Sequence, residues 1–139
     1  MWTGPFTIED VLRDAILRQL PQLPEKDGVY VVSESAWSGQ PTADTRILYV
    51  GSNTGKSARF RTRVGDMIAD LFGFYGEETG HHSGGQSLHQ YCLTNRVHPL
   101  SLWLGWLSDV PDTRECECHL YDTLKPLLNK KRPPESRRA

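Results

Sequence analysis

Two short apolar stretches, Gly28–Val32 (Gly-Val-Tyr-Val-Val) and Ile47–Val50, are separated by Ser35–Thr45, a polar run with Gly39 and Pro41 and no helical periodicity. Parallel strands need a crossover of a dozen or more residues, usually a helix, so these two strands are expected to pair antiparallel. A nucleotide-binding sheet of parallel strands is thereby disfavoured. The chain's 139 residues suit one core, and the whole of residues 1–139 is read as a single domain.

The flanking residues supply helices. Thr7-Ile-Glu-Asp10 has the form of a capping box with Asp in the place of Glu, and Ile8, Val11, Leu12, Ala15, Ile16 and Leu20 recur at helical spacing. This predicts a helix over about residues 8–20, ended by Pro21 and Pro24. Phe60, Val64, Met67, Ile68 and Leu71 mark one face of a second helix, near 58–72, which also carries Arg59, Arg61 and Arg63. Gly73–Gln86, with five glycines, His81 and His82, reads as a long polar loop. The alternation from Leu100 to Leu107 predicts a third strand, and Leu120, Leu124, Leu127 and Leu128 a last helix near 115–128. The expected architecture is α+β, a small central three-stranded antiparallel sheet flanked by helices. The core covers about residues 26–130, followed by a basic tail at 130–139.

Three cysteines, Cys92, Cys116 and Cys118, make no disulfide framework, and no apolar run approaches the ~20 residues a bilayer needs. A soluble cytoplasmic protein is expected, with no membrane partner. The formal net charge of −1 does not by itself suggest nucleic acid. The charge is segregated, however: Lys56, Arg59, Arg61 and Arg63 form one basic segment, and Lys125, Lys130, Lys131, Arg132, Arg137 and Arg138 another. Local field, not total charge, governs attraction to phosphate.

Two motifs carry candidate chemistry. Gly51-Ser-Asn-Thr-Gly-Lys-Ser57 follows a strand and precedes a helix, as a phosphate-binding loop does, but one residue is missing between Gly51 and Gly55-Lys56-Ser57. A plain turn is the better reading, and nucleotide binding at Gly51–Ser57 a remote alternative. Cys116-Glu117-Cys118-His119 has zinc-ligand residue types, but neighbouring helical residues point to different faces. Trp2, Trp37, Trp103 and Trp106 are better read as core or surface packing than as base-stacking platforms, and Trp37, in a loop, is the one to test for DNA contact.

The second motif is distributed. Gly28-Val29-Tyr30, Tyr49-Val50-Gly51, an Arg-bearing helix, and Glu117 standing before Lys125-Pro126-Leu127-Leu128-Asn129 occur in the order and context of the GIY-YIG nucleases. The chain resembles that family from about Gly28 to Asn129, as a stand-alone, single-domain member. The resemblance implies a metal-dependent endonuclease that hydrolyses DNA phosphodiester bonds. It implies Tyr30 as general base, Tyr49 as orienting group, an arginine on the scissile phosphate, Glu117 as ligand of Mg²⁺ or Mn²⁺, and Asn129 as a brace. A phenol titrates near ~10, so Tyr30 would need nearby positive charge to act as a base. Phe60-Arg61-Thr62-Arg63-Val64 places apolar residues around Arg63 in the family's helical frame, and Arg59 and Arg61 remain alternatives. Met67 stands where many members have His; His81, His82 or His89 could supply that imidazole, although exposed histidines of a solvated loop are the better reading of each. Ser52 stands where some members have Lys. Lys56, Arg59, Arg61, Lys125, Lys130 and Lys131 are the candidate DNA contacts. A non-catalytic nucleic-acid-binding module on the same fold is the alternative, and specificity could come from a homodimer or a partner protein.

Overall fold

A computed structural model of the chain describes residues 1–24, 27–53, 59–73, 83–129 and 132–133. In chain order the elements are β1 (Trp2–Thr7), α1 (Ile8–Leu17), β2 (Val29–Ser33), β3 (Ile47–Ser52), α2 (Phe60–Leu71), α3 (Ser83–Asn95), a 3-10 turn (Pro99–Ser101), β4 (Trp103–Leu107) and α4 (Thr113–Leu124). The strands form one sheet in the order β1-β4-β2-β3, and every neighbouring pair is antiparallel. The fold is α+β, as expected, but the sheet has four strands and not three. β1 escapes a sequence reading because Gly4 and Pro5 interrupt it. The pairing with β4 slips between Thr3 and Phe6, and Gly4 has a φ of +96°, a value that favours glycine. Pro5 is tolerated because β1 is an edge strand.

Three boundaries differ from expectation for local reasons. Thr7 Oγ1 caps α1 by accepting from Asp10 N at 3.1 Å. The helix stops at Leu17, short of residue 20, because Arg18 takes a left-handed φ of 54° and the Asp14 carboxylate captures the backbone N–H groups of Gln19 and Leu20. α4 begins early, at Thr113, because Asp112 accepts from Glu115 N at 3.1 Å. It ends at Leu124, where Lys125 adopts a φ of 52° and Pro126 follows, so Leu127 and Leu128 are not helical. α2 falls within the expected span, of which Ala58 lies outside the described residues.

The largest correction is α3. Starting inside Gly73–Gln86, the stretch read as loop, and running past it, Ser83–Asn95 forms a helix whose Leu88, Tyr91 and Cys92 are buried. Its signal is weak in sequence because polar residues and two glycines dominate it. Gly85 shows why a helix fits: a Cβ there would lie 2.6 Å from the Met67 carbonyl oxygen, so α3 packs with its backbone close against α2.

Alternation in β2 divides the molecule into layers. Tyr30 and Val32, with Leu104 and Trp106 of β4, pack beneath Ile8 of α1, Phe60, Val64, Met67 and Leu71 of α2, and Leu88 of α3. Val29 and Val31 face the other way, onto Val50, Trp37, Leu120 and Leu124. Trp37 is therefore a packing residue, as the favoured reading of the tryptophans expects, and not a solvent-facing one. Its ring meets Trp2 edge-on at 6.1 Å and is buried in this second core. The β2–β3 register skips Leu48, and this bulge lets Leu48 join the first core beside Tyr49.

β3 is the outer strand, and the segment after α4 covers its edge. Leu127 N donates to Ile47 O at 3.1 Å and Leu128 N to Leu48 O at 2.8 Å. Asn129 completes the cover with its side chain: Val50 N donates to Oδ1, and Nδ2 donates to Val50 O, each at 2.9 Å. Both backbone groups of Val50 lose their partner in Asn129→Ala. Urea denaturation of that variant is expected to show a loss of about 1–3 kcal/mol with an unchanged m-value.

Candidate active site

Tyr30 lies opposite Gly51 in the β2–β3 register, and its ring crosses that glycine. A Cβ on residue 51 would lie 2.5 Å from both Cζ and Oη of Tyr30. The glycine of one tripeptide thus makes room for the tyrosine of the other. Tyr49, two residues earlier on β3 and on the same face, completes the pair, with ring centroids 6.1 Å apart at 38°. Phe60 at the start of α2 closes the Tyr30 ring from above at 6.0 Å. The Tyr49 ring rests on the start of α3, where a Cβ at Gly84 would fall 2.3 Å from its Cζ.

Glu117 reaches the same end of β3 from α4, in the opposite layer. The Ser52 hydroxyl donates to Glu117 Oε1 at 2.6 Å, and the Glu117 side chain is buried. Tyr30, Tyr49, Arg63 and Glu117, contributed by four elements, are electrostatically coupled. Burial pushes the Tyr30 hydroxyl well above the usual phenol range, the neighbouring Tyr49 and Glu117 add to this, and Arg63 opposes it. Burial and then Glu117 push Tyr49 up to about 12, again against Arg63. Glu117 is itself raised, chiefly by burial, while Ser52, Arg114 and Arg63 pull it down.

Arg63 is the one arginine of α2 whose charge bears on both tyrosines and on the carboxylate. Arg61 is committed elsewhere: its Nη2 donates to Leu23 O at 2.6 Å. There it lines a groove of about 180 Å³ with Val11, Asp14 and Trp106. Arg59 is the exposed residue preceding α2, and its carbonyl accepts from Arg63 N at 2.9 Å.

Ser52 and Arg114 were not named as site residues by sequence reasoning. Their signals are legible in hindsight: Ser52 directly follows the second tripeptide, and Arg114 lies three residues before Glu117 on one helical face. His81, His82, Lys56, Lys130 and Lys131 lie outside the described residues. Lys125 is exposed at the end of α4, about 12 Å along the helix axis from Glu117. Among the described residues of the two basic segments, Arg61 and Arg63 belong to α2 and Lys125 to the end of α4, in the opposite layer, and Arg114 and Arg63 supply positive charge acting on Glu117.

Of the loop Gly51–Ser57, Gly51 and Ser52 belong to β3, and Asn53 accepts from Gly28 N at 3.1 Å; Thr54–Ser57 lie outside the described residues. Cys118 Sγ donates to Pro133 O at 3.3 Å, and burial raises the Cys116 thiol. Among the described residues no three His, Cys, Asp or Glu side chains gather to share a metal ion, and no helix is long and apolar enough to cross a membrane. In comparisons with known proteins, no family model, no curated sequence and no solved structure matches the chain.

A carboxyl whose pKa is raised by folding contributes stability that is complete below its unfolded pKa and is lost as pH rises through its folded value. Glu117 has a model-peptide value of 4.5, so its ionised form is a destabilising presence at neutral pH in the metal-free protein. Glu117→Gln, which keeps an acceptor for Ser52, is expected to melt above the wild type at pH 7.5, with the gap closing toward pH 4. Calorimetry across that range reads the effect. Gly51→Ala, by contrast, must displace the Tyr30 ring and is expected to cost about 1–3 kcal/mol in the same measurement.

Proposed function

We propose that the chain is a divalent-metal-dependent endonuclease acting on DNA, of the GIY-YIG kind. The observation that supports this most is the electrostatic coupling of Tyr30, Tyr49, Arg63 and Glu117 at one end of β3. Those residues come from positions 30 to 117 of the chain and share no local reason to meet. Glu117 offers hard carboxylate oxygen beside the Ser52 hydroxyl. That donor chemistry fits Mg²⁺ or Mn²⁺, which bind through one or two carboxylates and keep several waters. When bound, the cation supplies positive charge that stabilises the phosphoryl oxygens and the leaving oxygen.

The protein's own groups do the rest. Arg63 presents a planar fork of donors to the scissile phosphate. Tyr49, the less buried phenol, orients the attacking water or the phosphate through its hydroxyl. Tyr30, rigid beneath Phe60, is the candidate proton acceptor. Both phenols hold their protons at neutral pH, so base catalysis by either grows as the solution becomes more alkaline. Asn129 holds β3 in place at Val50, one residue from Gly51.

Supercoiled plasmid incubated with Mg²⁺ or Mn²⁺ tests the reading. Nicking is expected from the wild type and from Arg61→Ala. Arg63→Ala is expected to lose about 10²-fold or more in rate, and Glu117→Ala to be inactive. Plasmid retention without cleavage by every variant would instead favour a non-catalytic nucleic-acid-binding module. The wild-type rate is expected to climb from pH 7 to pH 9 without levelling, and Tyr30→Phe to flatten that profile.

A further inference from the structure

Ser52 is the last residue of β3 and pairs with Val29, a fully buried residue of the central strand. Its hydroxyl is thus delivered from a part of the sheet with little freedom to move. Alternation along β3 puts it on the face opposite Tyr49, toward α4, where it donates to Glu117 Oε1 at 2.6 Å. A hydroxyl donating to a carboxylate oxygen makes a charge-assisted bond when the carboxyl is ionised, the stronger class of hydrogen bond.

We propose that Ser52 is a positioning residue that presents Glu117 to the divalent cation, an inference that rests on the nuclease reading. A glutamate has three side-chain torsions, and ordering such a chain costs conformational entropy at the moment a ligand requires it. The Ser52 bond orders it beforehand. The bond also divides the carboxylate: Oε1 is taken by Ser52, and among the described residues no hydrogen bond engages Oε2. A neutral donor leaves the negative charge of the carboxylate for the cation, where an ammonium at residue 52 would compete with it. Groups that orient a metal ligand in this way are worth about 10–100-fold in metal affinity or activity.

The test is direct binding of Mn²⁺ to the DNA-free protein at pH 7.5, followed by the electron paramagnetic resonance of the free ion. It is paired with plasmid cleavage as a function of Mg²⁺ concentration. Wild type, Ser52→Ala, Ser52→Thr, Ser52→Cys and Glu117→Gln are compared, each with its melting temperature. Ser52→Ala is expected to weaken Mn²⁺ binding about tenfold and to raise the half-saturating Mg²⁺ concentration by a similar factor. Its rate at saturating Mg²⁺ is expected to stay within about threefold of wild type, and Ser52→Thr to restore the affinity. Ser52→Cys, nearly isosteric and a poor donor, is expected to behave as alanine does, and it carries the test should alanine unfold the strand end. Mn²⁺ affinity unchanged in both the alanine and the cysteine variants overturns the proposal. A rate lost at every Mg²⁺ concentration with Mn²⁺ binding intact also overturns it, because the hydroxyl would then act on the substrate. Glu117→Gln binding Mn²⁺ as wild type does would instead remove the metal-ligand reading beneath it.

Discussion

The ring of Tyr30 has one place to go. β2 is hydrogen-bonded to β3 on one edge and β4 on the other, and each of its five residues is shut from solvent. Its side chains must be accommodated within the two cores, and the large one at position 30 is accommodated across a strand residue that has no side chain, Gly51. Phe60 then packs on the ring, which sets the start of α2. The position of α2 in turn decides which arginine acts on the pair. The same contact that fills the first core therefore assembles much of the candidate site.

Burial also sets the charge state of that site. Two phenols and a carboxyl are each pushed toward their neutral forms by desolvation, and the nearby guanidinium of Arg63 offsets this only in part. Burial thus disfavours negative charge on all three groups, and nearby positive charge offsets it. The carboxylate comes from the far layer of the sandwich and meets the tyrosines at the end of β3. The cover provided by Leu127, Leu128 and Asn129 is described as far as Val50, next to the residues Gly51 and Ser52 that carry the site's closest contacts. The segment that protects the edge of β3 thus ends beside the candidate site.

Much of this was legible in residue order. The antiparallel pairing of the 28–32 and 47–50 segments followed from the absence of a crossover helix, and the helix that carries Arg61 and Arg63 followed from its apolar spacing. Other features were not legible, for identifiable reasons. β1 is broken by Gly4-Pro5, which abolishes alternation. α3 hides in a glycine-rich stretch because its glycines serve close packing on Met67 and Tyr49, and not turns. Trp37 reads as a loop residue, and it is one; its burial depends on Trp2, a residue 35 positions earlier that joins it only through the sheet. The hydrogen bond of Ser52 to Glu117 spans 65 residues and leaves no local pattern.

By itself the sequence determined the strands that carry Tyr30 and Tyr49 and the helices that carry Arg63 and Glu117, since periodicity, caps and glycine positions are local properties of the chain. Only the tertiary structure decided that Tyr30, Tyr49, Arg63 and Glu117 bear on one another, that Ser52 holds the carboxylate, and that Arg61 is bound to Leu23 instead. Those outcomes depend on how two layers pack against one sheet, and packing is settled by shape and burial among residues far apart in the chain.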